Sequence, residues 1–393
     1  MSNRNITLFY FLESLISLSG AMILPVYVLY FRHYGLTLFQ VALLAAVFEA
    51  TVLLFEIPTG ILADRYGRKL STIIGFILFA TSGGVFCIWK NFSGFLVAEI
   101  IFGLAETFIS GALEALAVDS LDDKQKEKHL ARLFSNRTIL KTATMIVGML
   151  AGGLIAREYL QYIFVPIICL GIGAPVSLFL KEPKKILPEI EKKDKADRIP
   201  EIARMIFSNK LILSIFCVGL MANLASEGAD QFWQVLFSEI KGIDISYYGM
   251  MTAMGALLVV IFARATSKFY ERLTIYLTAS FSLMAFAVFS AARFSDYPAV
   301  VGIIFYFAAK EIVRPILSYH LNRNINSKSR ATILSGYNLT CSIGEVIAGV
   351  TVGLIAGKYG VPVVFYFSAL VAIAVPFTYS ILNHPKQGMD NLS

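Results

Sequence analysis

Twelve apolar runs, each near the length that crosses a bilayer as a helix, constrain this chain more than any other feature. They occupy residues 6–31, 37–63, 71–89, 93–118, 137–157, 160–180, 207–235, 246–266, 273–291, 297–320, 330–356 and 361–382. A spanning helix needs roughly 20 predominantly apolar residues. The alternation of apolar and polar residues that marks barrel strands is absent. Of the 393 residues, 57% are hydrophobic and 16% charged, whereas soluble domains carry about 25% charged residues. The expectation is an all-α integral membrane protein with twelve transmembrane helices in two pseudo-symmetric six-helix halves. The first run contains Glu13 and is too long for a signal-peptide core, so it is read as a retained span.

The basic residues sort by side. With both termini placed inside, 26 of the 34 Lys and Arg fall in inner segments. Six fall outside: Arg32, Lys90, Arg157, Lys241, Arg293 and Lys358. Positive charge stays on the cytoplasmic side, so the reading is a multi-pass protein of the plasma (inner) membrane with cytoplasmic termini. The net charge of +7 is then a topology signal, and no nucleic-acid partner is expected. Cys87, Cys169, Cys217 and Cys341 stand singly in apolar runs and read as small buried hydrophobes. The histidines are scattered. Neither a metal site nor a cofactor is expected.

The longest polar connection, "KEPKKILPEIEKKDKADRIPEIARM", begins at Lys181 and divides the runs six and six. The expected domains are a half at 1–180, a cytoplasmic linker at 181–206 and a half at 207–393. Residues 130–160 align without a gap on 330–360, "GLIAREY" (153–159) facing "GLIAGKY" (353–359), with Ala131/Ala331 and Ser135/Ser335 also matching. This is the fifth run of each half, where a parallel duplication would put it. Chance similarity among Gly/Ala-rich helices is the alternative.

Between the second and third runs stands "GILADRYGRK" (60–69). Gly60 would allow close helix approach, Asp64 lies near a span end, Gly67 turns the chain, and Arg65, Arg68 and Lys69 suit the inner membrane surface. The stretch resembles the signature of the major facilitator superfamily, G-x-L-a-D-r-x-G-r-[RK], in register. The two six-span halves and basic central connection extend the resemblance over essentially the whole chain. It implies alternating access, with the aspartate and later arginine joining helix ends in a charge network that holds the outward-facing state. Asp119, closing the fourth run in "ALAVDSL", is positioned to join Arg68. A topology-setting basic turn is the plainer alternative. The second half has a worn copy, "ARATSKFYERL" (263–273), which keeps Arg272 and lacks the aspartate. "FEIPTGILAD" and "NRNINSKSRATILS" resemble bacterial drug-efflux members. Drug–proton antiporters of the family often carry an arginine in span four and a Gly-Pro run in span five, and both are missing here.

An ionisable side chain at mid-membrane costs about 2.5–3.5 kcal/mol on insertion scales, which makes it a functional candidate. With the basic residues near run ends counted in the inner and outer segments, the runs hold ten acids, Glu13, Glu49, Glu56, Glu99, Glu106, Glu114, Glu227, Asp230, Glu311 and Glu345, against two bases, Lys310 and Arg314. Pairing alone cannot balance them, so some carboxylates should be protonated, or meet a cation or solvent. At helical spacing, Glu99, Gly103, Glu106, Ser110 and Glu114 share a stripe about 80° wide. Asn223, Glu227, Asp230 and Gln234 share one of about 60°, as do Asn338, Ser342, Glu345 and Gly349. Such stripes face a cavity or other helices rather than lipid. Glu13, Glu49, Glu106, Glu227, Asp230, Lys310, Arg314 and Glu345 are the candidates for binding substrate or protons.

Plainer roles stand beside these. Glu56 and Glu114 could bond helix termini or the basic loop, and Glu99 could be solvated. Glu106 could make only an interhelical hydrogen bond, and Glu311 with Arg314 a structural pair at i, i+3. Lys310 could be the counter-ion of Glu345 or Glu227. Phe232, Trp233 and Tyr306 read as packing residues, though an aromatic face could hold an organic cation.

There is no nucleotide loop of the form G-x-x-x-x-G-K-[ST] and no nucleophile–base set, so the chain is not read as an enzyme. The reading is a monomeric secondary transporter, using proton-coupled antiport to export a cationic or amphipathic small molecule. Protons, or another coupling cation, would bind first at Glu106, with Glu49 or Glu13 nearby. Proton-linked uptake of a small solute, an anionic group held by Lys310 and Arg314, is the alternative. A non-transporting membrane sensor would show a degraded gating motif or an added signalling domain, and neither is seen.

Overall fold

Inside lipid every backbone polar group must be bonded within the protein, and long apolar runs achieve this as helices. The computed structural model describes residues 3–121, 126–182, 209–266, 272–325 and 330–383, and among them there is no strand. The first half comprises α1 (Asn3–Ile23) and α2 (Tyr27–His33), α3 (Leu38–Tyr66), α4 (Arg68–Ile88), α5 (Phe92–Asp119), α6 (Lys126–Tyr159), α7 (Val165–Cys169) and α8 (Gly173–Ser177). The second comprises α9 (Lys210–Val235), α10 (Tyr248–Thr266), α11 (Leu273–Arg293), α12 (Asp296–Glu311), α13 (Val313–Arg323), α14 (Arg330–Tyr359) and α15 (Val361–Asn383). A π turn, Leu236–Ile240, extends α9.

Among the described residues, ten helices are long and apolar enough to cross a membrane. The two other expected spans are interrupted, and prolines accompany the interruptions. A proline cannot donate to the carbonyl four residues back, and its ring crowds that carbonyl. Pro315 removes the bond to Glu311, where α12 stops and α13 takes over. Pro166 and Pro175 lie in the segment that alternates between α7, α8 and 3-10 turns. Pro25 likewise separates α1 from α2.

The fifth span starts well before its expected boundary at residue 137, because α6 begins at Lys126. Arg137 and Lys141, counted from the sequence with the inner segments, thus stand about three and four turns inside this helix. This corrects the count of ten acids against two bases. α6 packs along α1 through small residues: a methyl group at Gly148 or Gly152 would run into the α1 backbone at Leu18 or Met22. Its counterpart α14 ends at Tyr359 as α6 ends at Tyr159, the aligned tyrosines of the proposed repeat.

By contacts the chain divides into two compact units. One holds Met1–Pro188, Gln231–Ala256 and Gly349–Lys358, and the other Glu189–Asp230, Leu257–Ala348 and Tyr359–Ser393. This differs from a division at the linker because parts of α9, α10 and α14 gather on the first half. There Gly249 of α10 meets the Met149 carbonyl, and Gly353 of α14 lies against Ala42. The linker 181–206, beyond Lys181 and Glu182, lies outside the described residues, as do Lys124, Lys268, Lys328 and Lys386 and the side chains of Ala331 and Ser335.

Candidate functional site

Within the second unit, α9, α12, α13 and α14 surround a cavity of about 230 Å³. Glu227, Asp230, Lys310, Arg314 and Glu345 all line it, with Glu311 beside them. Helical periodicity explains the gathering on α9, where Asn223, Glu227 and Asp230 project from one face. Lys310 Nζ lies 2.8 Å from Asp230 Oδ1 and 3.8 Å from Glu311. Its closest counter-ion is thus Asp230, rather than Glu345 or Glu227. The break after Glu311 also takes Arg314 out of i, i+3 register, and no Glu311–Arg314 pair forms among the described residues. Arg314 is exposed and lies near Tyr337 and Cys341. The Tyr306 hydroxyl donates to the Ser226 carbonyl at 2.8 Å, and Asn223 donates to the Cys341 carbonyl at 2.8 Å.

The cavity face of α14 is Tyr337, Cys341 and Glu345. This differs from the expected polar stripe, for Asn338 is exposed. Cys341 thus borders a cavity and Cys169 is exposed, contrary to the reading of all four cysteines as buried hydrophobes. Phe232, Trp233 and Tyr306 are fully packed, as expected.

The remaining candidates lie in the first unit, in two groups. Arg137 of α6 bridges Glu13 of α1 at 2.8 Å and Glu114 of α5 at 2.7 Å. Glu106, about two turns before Glu114 on α5, stands within electrostatic reach of Lys141 and Glu13. No hydrogen bond or ion pair to Glu106 forms among the described residues, so the expected alternative of an interhelical bond is not observed. Glu49 lies apart from this group. It neighbours Glu99, which accepts a 2.5 Å hydrogen bond from Tyr27 and is only 2% exposed. Glu99 is therefore buried, not solvated. Arg137 and Lys141 escaped the sequence reading. Their spacing with Thr144, Gly148 and Gly152 marks one helical face, and that was the available signal.

The motif loop is organised around Arg68. It pairs with Asp119 at the end of α5 and lies 3.7 Å from Asp64. Gly67 adopts φ 109°, a conformation that a side chain would disfavour. The backbone N–H groups of Arg68 and Lys69, at the start of α4, donate to the Glu182 carboxylate at 2.8 and 3.0 Å. Glu182 thereby caps a positive helix end, a role the sequence did not disclose. The Lys69 ammonium donates to the Leu178 carbonyl, and Arg65 lies over the Tyr66 ring. Gly60 contradicts its expected role, because nothing stands within 4 Å of where its Cβ would be.

At the far end of the bundle from this loop, the first unit contains a second set of contacts. The Arg32 guanidinium grips both oxygens of Glu239 at 2.7 and 2.8 Å. Arg157 lies 3.9 Å from Asp244. The Ser246 hydroxyl and backbone N–H, with Arg157 beyond them, hold the Asp244 carboxyl below the usual carboxylate range.

Comparison with known proteins agrees with this architecture. The family description "Major Facilitator Superfamily" matches residues 9–312. The uncharacterized MFS-type transporter YxaM of Bacillus subtilis (strain 168) is 24% identical over 385 residues, covering 96% of this chain and 95% of its own. The quinolone resistance protein NorA of Staphylococcus aureus (strain COL) is 27% identical over 362 residues, covering 88% and 89%. The crystal structure of the nucleoside transporter NupG matches with a TM-score of 0.80 over 98% of this chain and all of that one, at 14% identity, a likeness of fold alone. With most of its length matched by the family and helices of membrane-crossing length among the described residues, this chain belongs to the Major Facilitator Superfamily of membrane transporters.

Proposed function

We propose that this transporter exports a cationic or amphipathic small molecule across the plasma membrane in exchange for protons, with both termini cytoplasmic. The carrying observation is the charge of the cavity in the second unit. Four carboxylates, Glu227, Asp230, Glu311 and Glu345, face two bases, and Lys310 is already paired with Asp230. The surplus favours a positively charged guest. The similarity to a quinolone resistance protein supports the outward direction. Protons would be carried by Glu106. Its neighbours on the same stripe are engaged, Glu99 by Tyr27 and Glu114 by Arg137, while Glu106 has no such bond among the described residues. Its ionisation in a membrane helix is thus the least compensated. The Arg68–Asp119–Asp64 network, with Arg65, Gly67 and Lys69 beside it, would bias the facing state.

The test is proton flux in proteoliposomes under an imposed pH gradient, with organic cations, anions, sugars and amphiphiles supplied in turn. Collapse of the gradient by a cation or amphiphile in wild type, and not in Glu106→Gln, is the expected result. Coupled transport that survives in Glu106→Gln removes that residue from the mechanism. Gradient collapse only by anions favours uptake through Arg314, the base in the cavity without an ion pair among the described residues.

A further inference from the structure

In an unbroken helix the N–H of Val28 would bond to the carbonyl of Leu24, four residues back. The break at Pro25 leaves both groups without that bond, and a side chain from α9 takes them. Gln234 Oε1 accepts from the Val28 N–H at 2.8 Å, and Gln234 Nε2 donates to the Leu24 carbonyl at 2.9 Å. One amide thus fills the place of one missing backbone bond, and only one orientation of the amide satisfies both. Gln234 is 2% exposed. On the sequence it belonged to the stripe of Asn223, Glu227 and Asp230, yet it leaves their cavity and serves the first half instead.

Tyr27 stands immediately before Val28, and its hydroxyl donates to buried Glu99. Glu49 is the acidic neighbour of both. On the fourth-span side, Ser82 bonds the Ala98 carbonyl and so fixes the backbone beside Glu99. The seating of Tyr27 therefore depends on how the turn at Pro25 is held. If α9 moves away, two polar groups are stranded, and in a membrane such groups must find partners. The Val28 N–H and Leu24 carbonyl are partners for each other. Their bond would lengthen α2 by a turn and place Pro25 at its first position, which proline tolerates well.

We propose that Gln234 is a positioning residue that couples closure of the far end to the Tyr27–Glu99 hydrogen bond. Inserted in the break, it seats Tyr27 on Glu99. Withdrawn, it lets α2 extend and turns Tyr27 away. The Arg32–Glu239 pair fastens the same end and keeps Gln234 inserted. This inference rests on the change of facing state proposed above but needs neither the substrate nor the coupling ion.

The test is labelling of Glu99 by N,N′-dicyclohexylcarbodiimide in the full-length protein without substrate, read residue by residue by mass spectrometry. Gln234→Leu and Tyr27→Phe should each raise the labelling rate of Glu99 about fivefold, the change that loss of one ordinary hydrogen bond brings to an equilibrium. The double variant should show no further rise. Arg32→Gln should raise labelling in the wild-type background and have no effect when combined with Gln234→Leu. A wild-type labelling rate in Gln234→Leu, or effects that multiply in either combination, overturns the proposal. Should Gln234→Leu fail to fold, Gln234→Glu keeps the acceptor for Val28, loses the donor to Leu24 and supports the same comparison. Failure here leaves the cavity reading intact, because the proteoliposome assay reads transport and this one does not.

Discussion

Lys310 of α12 and Asp230 of α9 form a 2.8 Å ion pair on the cavity wall, and each side chain retains roughly a quarter of its exposure. Removing one member of a fully buried pair costs about 3–5 kcal/mol. Here solvent screening lowers this, and Lys310→Met should cost about 2 kcal/mol. The double variant Lys310→Met/Asp230→Leu should recover most of that loss, because the carboxylate nearest the lost ammonium is removed with it. Thermal unfolding in detergent checks both. Equal destabilisation in the single and double variants would show that packing of the lysine stem, rather than its charge, is what matters.

Arg68 should act on conformational preference more than on stability. Its pairs with Asp119 and Asp64 are partly exposed, and such pairs contribute about 0–1 kcal/mol. Asp119→Asn should thus shift the balance of facing states by up to about fivefold while leaving unfolding within about 1 kcal/mol of wild type. Distances between spin labels across the far end read the first quantity. Identical distance distributions in Asp119→Asn and wild type would remove the network from gating.

The glycines separate sharply. Gly152 lies against the Met22 backbone of α1, where any side chain collides, and Gly60 faces open space. Gly152→Val should destabilise by about 1–3 kcal/mol through overpacking. Gly60→Ala should be neutral or stabilising by up to about 1 kcal/mol, since alanine is the better helix former. A transport defect in Gly60→Ala without loss of stability would point to a close contact formed only in another state.

Asp244 should stay ionised across the physiological range. Hydrogen bonds from Ser246 depress its folded pKa, so whatever stability the ionised form contributes is present above the ordinary aspartate range and is lost only as pH falls through the depressed value. Between about pH 7 and pH 5, well above the ordinary aspartate value of about 3.9, the turn at Asp244–Ser246 should therefore not titrate. NMR of a protein carrying ¹³C-labelled aspartate, with Asp244→Asn used to assign the signal, provides the measurement. A carboxyl midpoint within that window would show that the Ser246 bonds do not persist in the membrane.

The helical class, the family signature and the grouping of acids on helix faces are all legible in the order of the amino acids. Each rests on local physics: the apolar length a bilayer demands, the turn that Gly67 permits, and the 100° advance per helical residue. That periodicity is why Glu227, Asp230 and Glu345 could be picked out before the cavity was seen. It was also enough to place Asp119 near the end of a span, where it meets Arg68.

Tertiary structure decided which faces meet and where helices break. Hydropathy alone assigns Arg137 to the inner segment, whereas its pairing with Glu13 and Glu114 lets α6 continue through it. Periodicity put Gln234 on the face of Asp230, but it could not show that the amide would enter a helix break some two hundred residues earlier in the chain. Spacing along a helix specifies direction, while the partner in that direction is supplied by another helix. Only packing brings the two together, and with them the ion pairs and inserted amide on which the proposed mechanism depends.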